Sequence, residues 1–225
     1  GRMESQIRGL LMGVRHAKDG QSLVNTQDGA MKEITSVLQR MRELAVQSAS
    51  GTNSNTDNDY LNLEMIQLIA QVTEVAKNTR FNDTRVLTGT QFTFYHDIDV
   101  AGTSIQTVAA AVTAAALAVT IANVSIGGGS GINTSAAINK IDLAIATVDN
   151  KRANLGAVSN RFNHIVDNLT NVVANTEGAK SRIEDADFAV ETTQLTRNTV
   201  LQQAATSMIT QANAQKNTIL ALIQQ

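Results

Sequence analysis

From Met3 to Ser48 apolar residues recur at spacings of three and four: Ile7, Leu10, Val14 and Ala17, then Met31, Ile34, Leu38, Met41 and Ala45. That period predicts a long helix with a narrow apolar seam. Gly13, Gly20 and Gly29 interrupt it, each costing about 1 kcal/mol relative to Ala inside a helix. Either packing along the helix compensates, or the helix breaks there. The pattern also slips by one position near Gln27, as a stutter produces. "SGTNSNTDND" (Ser50 to Asp59) reads as a loop from its Gly, Asn, Ser and Asp content. Asp57 or Asp59 is placed to cap the next helix, which runs to about Lys77 with Leu61, Met65, Leu68, Val72 and Val75 inward.

After "NTRFNDT" the period becomes two. Phe92, Phe94, Ile98 and Val100 alternate with Thr93, Tyr95, Asp97 and Asp99, which predicts a strand. Ala101 to Thr103 turn it, and Ser104 to Thr107 pair back. Val108 to Thr120 is compatible with a short helix, and Val119 to Ile126 with another strand. "GGGSG" (Gly127 to Gly131) reads as a flexible joint.

Thr134 or Ser135 then caps the longest element. Heptads from Ile138 place Ile138, Ile141, Ile145, Val148, Arg152, Leu155, Ser159, Phe162, Val166, Leu169, Val173, Thr176, Lys180 and Ile183 on one seam. Ten of those fourteen are apolar, where random placement gives about six, so the seam is a coiled-coil-like packing face. At a rise of about 1.5 Å per residue the seam is a rod of roughly 70 Å. Its possible partners within the chain are the two N-terminal helices. The expected fold is therefore mainly α, an elongated antiparallel bundle of long helices with a small β-hairpin-rich insertion. Past Ile183 a second stripe begins: Leu201, Ala204, Ala205, Met208, Ile209, Ala212, Ile219 and Leu222. The N-terminal helix already pairs with the heptads, so this stripe must meet another chain, fold back or lose order.

Composition supports helix. The 225 residues contain no Pro, only 3% aromatics and 43% hydrophobics, mostly Ala, Ile, Leu and Val. A net charge of −2 gives no cationic footprint for nucleic acid. No apolar run has the roughly 18 residues a membrane span needs, and no charged-then-apolar leader opens the chain. With no Cys there is neither a disulfide framework nor a thiolate site.

Chemistry-bearing patterns are sparse. There is no HExxH, and His16, His96 and His164 lack metal-ligand spacing. "GGGSG" lacks the Lys-Ser/Thr of a phosphate loop. Glu184, Asp185 and Asp187 form an acidic cluster whose simpler role is capping near a helix junction in "SRIED". No catalytic residue, cofactor or metal is expected. On the first helix, Gln39, Arg40, Arg42, Glu43, Val46 and Gln47 fall on outer or flanking positions, where Arg40–Glu43 and Arg42–Val46 are ordinary helical neighbours.

"SQIRGL", "QRMRELAVQSASGTNS" and "RFNDTRVLTG" resemble the N-terminal part of bacterial flagellins, and "RANLGAVSNRFNH", "SRIEDADFAVE" and "LQQAATSMITQANAQ" resemble the C-terminal part. The resemblance covers residues 2–89 and 136–225, with the motifs in family order. It implies a rod-like core domain formed by 1–89 with 136–183, a short variable insertion at 90–135, and a C-terminal inner-tube helix at 184–225. Flagellins begin with a further helix that pairs with the C-terminal one. The resemblance therefore implies that this chain is truncated and by itself monomeric. It also implies a secreted, extracellular filament subunit whose partners are other flagellin subunits, a flagellar export chaperone and the host Toll-like receptor 5. The implied receptor and subunit contacts are Gln39, Arg40, Arg42, Glu43, Leu44, Gln47, Glu64 and Ile141. The implied assembly and chaperone face is Leu201, Ala205, Met208, Ile209, Ala212, Ile219 and Leu222. Two alternatives are a hook–filament junction protein of the same family, and a carbohydrate- or host-binding module carried by residues 90–135 around Tyr95 and His96.

Overall fold

A computed structural model describes residues 1–96, 104–107, 110–127 and 134–223, with side chains left out at 185, 186 and from 216 onward. The chain divides into two compact units, Ser5–Val173 and Gly1–Glu4 with Ala174–Gln225. The described part of the 90–135 insertion lies in the larger unit.

α1 (Arg2–Ser48), in the larger unit from Ser5 onward, is continuous through all three glycines. Packing explains two of them. A Cβ on Gly20 would meet the Phe162 ring, and one on Gly13 would collide with the His96 carbonyl oxygen. Gly29 has open space around it. The register slip near Gln27 also has a structural cause: Gln27 is fully buried, and its Nε2 donates to the Val86 carbonyl at 2.7 Å. A polar side chain occupies a seam position there because it satisfies backbone of the following hairpin.

α2 (Asn55–Asn78) opens on a capping box. Ser54, rather than Asp57 or Asp59 alone, is the cap: Asp57 N donates to Ser54 Oγ at 3.1 Å, and Ser54 N donates to Asp57 Oδ2 at 2.9 Å. β1 (Arg80–Phe81) and β2 (Thr84–Arg85) form a hairpin around Asn82 and Asp83, both left-handed at φ 46° and 65°. Two central residues with positive φ suit the right-handed twist of the flanking strands. β3 (Thr93–Tyr95) pairs antiparallel with β4 (Ser104–Gln106) in the register Phe94↔Ile105, as the alternation predicts. Ile98, Val100 and the turn at 101–103 lie outside the described residues, as do 128–131 of the Gly-rich joint.

Two expectations for the insertion are corrected. Among the described residues of 108–120 there is no helix. A single turn closes with Leu117 N donating to Thr113 O, and it ends at Ala118 with φ 57°. The expected strand at 119–126 is instead a one-turn helix, α3 (Ile121–Val124), flanked by extended residues. The β-branched residues there serve burial, not pairing: Val119, Val124 and Ile126 are all core.

α4 (Thr134–Ile223) is a single helix without the junction expected near Ile183. No Gly or Pro follows Gly178, so nothing local stops it. Up to Val173 its heptad seam is buried or half-buried at every position from Ile138 onward. α1 and α4 run antiparallel, since Gly13 lies by Leu169, Gly20 by Phe162, Asp28 by Arg152 and Arg42 by Asp142. One core joins α1, α2, α4 and the middle segment, which contributes Val86, Leu87, Ile105, Ala110, Val112, Ala114, Leu117, Val119, Val124 and Ile126. Phe162, fully buried, meets Phe94 edge-on at 5.6 Å and 87°, an arrangement that suits the ring quadrupoles.

Candidate functional site

α1 lies between two helices, and its charged flank shows this. Arg40 Nε donates to Glu64 Oε1 on α2 at 2.8 Å, while Arg42 Nε donates to Asp142 Oδ1 on α4 at 2.6 Å. Residues two apart on a helix point to nearly opposite flanks, so the two arginines tie α1 to different neighbours. Arg40 also reaches Glu43 at 3.1 Å. These hydrogen bonds, Glu64 foremost, hold the Arg40 guanidinium above its ordinary value, and Asp142 does the same for Arg42. All five side chains are between 44% and 68% exposed. Each ion pair is therefore screened by solvent and adds little to stability, and its main effect is to fix geometry.

Gln39 and Gln47 are also exposed, and Gln47 borders a cleft of about 350 Å³ with Asn53, Asp57, Tyr60 and Leu61. The apolar side chains Val46, Tyr60, Leu63 and Leu143 are exposed as well. The surface thus combines preorganised charge with scattered apolar area.

Leu44 and Ile141 do not belong to it. They are 1% and 0% exposed and sit in the core. Their expected place on a contact surface is corrected by the two-sided cover of α1. With α2 on one flank and α4 on the other, the buried arc widens to take adjacent pairs, Val37 with Leu38 and Leu44 with Ala45.

In the unit containing Ala174–Gln225, Leu201, Ala205, Met208, Ile209 and Ala212 are exposed on α4. The side chains of Ile219 and Leu222 lie outside the described residues. Met208 is 70% exposed and Ile209 61%. The sequence reading missed the start of this apolar surface: Phe188 at 73% and Leu195 at 67% extend it toward the N-terminus of the helix. An aromatic within the otherwise acidic "EDADFAVE" was the available signal.

Among the described residues no group of three or more His, Cys, Asp or Glu is placed to hold a metal, and no helix is long and apolar enough to cross a membrane. The described polar clusters are ion pairs and caps. The arrangement presents packing surfaces on long helices, which defines a structural helix-assembly protein.

Comparison with known proteins narrows the class. A family profile described as the bacterial flagellin N-terminal helical region matches residues 1–92, and one for the bacterial flagellin C-terminal helical region matches residues 138–223. A flagellin of Halalkalibacterium halodurans is 38% identical over 99% of this chain and 81% of its own length. The flagellar filament 33 kDa core protein of Treponema phagedenis is 34% identical over 99% of the chain and 82% of its own. The crystal structure of Bacillus cereus flagellin superposes with a TM-score of 0.59 at 30% identity, covering 69% of this chain and 88% of that one. The chain belongs to the bacterial flagellin family, a family of structural proteins of the flagellar filament.

Proposed function

We propose that this protein is a non-enzymatic structural subunit of an extracellular flagellar filament and assembles with other flagellin subunits. The observation that carries the reading is the series of large apolar side chains left in solvent along α4: Phe188, Leu195, Leu201, Met208 and Ile209. Fully burying one such side chain stabilises an interface by about 1.5–3 kcal/mol, so a subunit that leaves several exposed is built to be covered. Leu201, Ala205, Met208, Ile209 and Ala212 form the assembly face, continued by Ile219 and Leu222. Before assembly the same face suits the groove of an export chaperone, as an amphipathic helix does. The test is seeded polymerisation of the protein. The unmodified protein pellets as filaments, and Leu201→Asp with Ile209→Asp stays in the supernatant. Equal pelleting of both overturns the reading.

A second reading concerns Toll-like receptor 5, and the Arg40–Glu64–Glu43 network favours it. An Arg already oriented by two carboxylates loses little freedom on docking and makes a suitable anchor. The contact set is Gln39, Arg40, Arg42, Glu43, Gln47 and Glu64. Arg40→Ala and Glu64→Ala are each expected to weaken binding to the receptor ectodomain by roughly tenfold or more, with helicity by circular dichroism unchanged. Unaltered affinity in both variants overturns it.

A further inference from the structure

The hairpin β1–β2 places Arg80 directly across from Arg85. Residues opposed in an antiparallel pair project from the same face with Cβ atoms about 4.5–5.5 Å apart, and like charges there repel. Both arginines are exposed. Arg80 has only a loose local partner, its Nη1 lying 3.4 Å from the Asp83 carbonyl and 3.7 Å from a carboxylate that is itself 99% exposed. Arg85 makes no ion pair among the described residues. The platform beneath them is firm. Val86 and Leu87, which follow directly, are fully buried, and the Val86 carbonyl is held by Gln27. Among the described residues, the fold thus keeps two guanidiniums side by side without a counter-charge that neutralises both.

α4 carries the opposite arrangement. Asp187 and Glu191 are exposed one turn apart, a spacing that brings their Cβ atoms within about 5–6 Å and sets like charges against each other. Glu184 is engaged by Lys180 at 3.6 Å, whereas Asp187 and Glu191 form no ion pair among the described residues. They line an open cleft with Phe188 and Val190. Two arrangements of opposite sign, each unfavourable in the isolated chain, share nearly the same spacing. Arginine and carboxylate form the strongest charge-assisted pairs when two such contacts run in parallel.

We propose that Arg80 and Arg85 of one copy clamp Asp187 and Glu191 of a second copy, with Phe188 covered at the edge of the contact. This rests on the filament-subunit reading and names a specific contact within it. Each residue pair relieves the repulsion in its counterpart, so the contact is specific for copies in one relative placement, and salt weakens it.

The test uses filaments of the protein. This sequence has no Cys, so introduced thiols report cleanly. Arg85→Cys protein mixed with Glu191→Cys protein, co-assembled and treated with a short bismaleimide, is expected to give mixed inter-copy dimers several-fold above either variant alone. Arg80→Glu with Arg85→Glu is expected to reduce assembly at least tenfold, and adding Asp187→Arg with Glu191→Arg to the same chain to restore it. Filaments without the mixed cross-link, charge reversal without effect, or a fourfold variant that fails to recover each overturn the clamp and leave the subunit reading standing. An unmodified protein that forms no filaments overturns both.

Discussion

Gly20 on α1 lies against the ring of Phe162 on α4, so close that a Cβ on Gly20 would sit 2.5 Å from Cζ. The glycine is a packing requirement of the antiparallel pair, and it outweighs the helix propensity it forfeits. Gly20→Ala is therefore expected to destabilise the protein by about 1–3 kcal/mol through overpacking. Gly29→Ala, with open space at the same atom, is expected to stabilise it by up to about 1 kcal/mol through propensity alone. Urea unfolding of the two variants checks the opposite signs; shifts in one direction contradict the packing account.

Leu44 and Arg40 are neighbours in sequence with opposite fates. Leu44→Ala, in the core, is expected to cost about 2–5 kcal/mol. Arg40→Ala, on the surface, is expected to leave the melting temperature nearly unchanged. Thermal melts of both variants separate the residue that holds the helices together from the one that faces outward.

Gln27 holds the Val86 carbonyl, while its own Oε1 is buried without a described partner. Gln27→Leu removes both the bond and the unpaired oxygen, leaving the carbonyl without its donor, for a net loss of about 1 kcal/mol. Faster amide exchange confined to the β1–β2 hairpin and Val86 is the expected signature. Exchange unchanged there excludes Gln27 as the anchor.

Acid acts on α2 through Asp57. The Ser54 hydroxyl and then its backbone N–H hold the Asp57 carboxyl below the ordinary carboxylate value. A depressed folded pKa stabilises the native state fully above the unfolded value, near ~4, and that stabilisation is lost as pH falls through the folded pKa. Amides at the start of α2 are expected to lose protection only below about pH 4. In Asp57→Asn that acid step disappears. A step persisting in the variant points to another group.

The long elements were legible because their period is long and unbroken. The seam from Ile138 to Val173 and the α1 positions from Ile7 to Ala45 needed only spacing. Residues whose environment is set by distant chain were not legible. Leu44 falls outside the seam of Leu38, Met41 and Ala45 until α2 and α4 are both in place. Gln27 looks like a register error until the Val86 carbonyl arrives. Val119 to Ile126 reads as a strand because β-branched residues favour both pairing and burial, and only tertiary contact decides which. Ile183 looks like an end because the apolar pattern changes there, but the loss of a buried face does not interrupt backbone hydrogen bonds. For the surface, charged positions on α1 were readable from period alone, whereas the cross-helix partners Glu64 and Asp142 depend on the docking of α2 and α4.

The middle segment is tied by hydrogen bonds to both α1 and α2. Asn62 Oδ1 accepts from both Ser125 Oγ and Ile126 N, and Ser48 Oγ donates to the Ile126 carbonyl. Anyone grafting a foreign epitope onto this scaffold for display should therefore leave 104–107 and 110–127 in place. Exchanging that stretch wholesale strips Ile105, Val112, Leu117, Val119, Val124 and Ile126 from the common core, and yields a carrier whose helices lose the cover that holds the cargo's base.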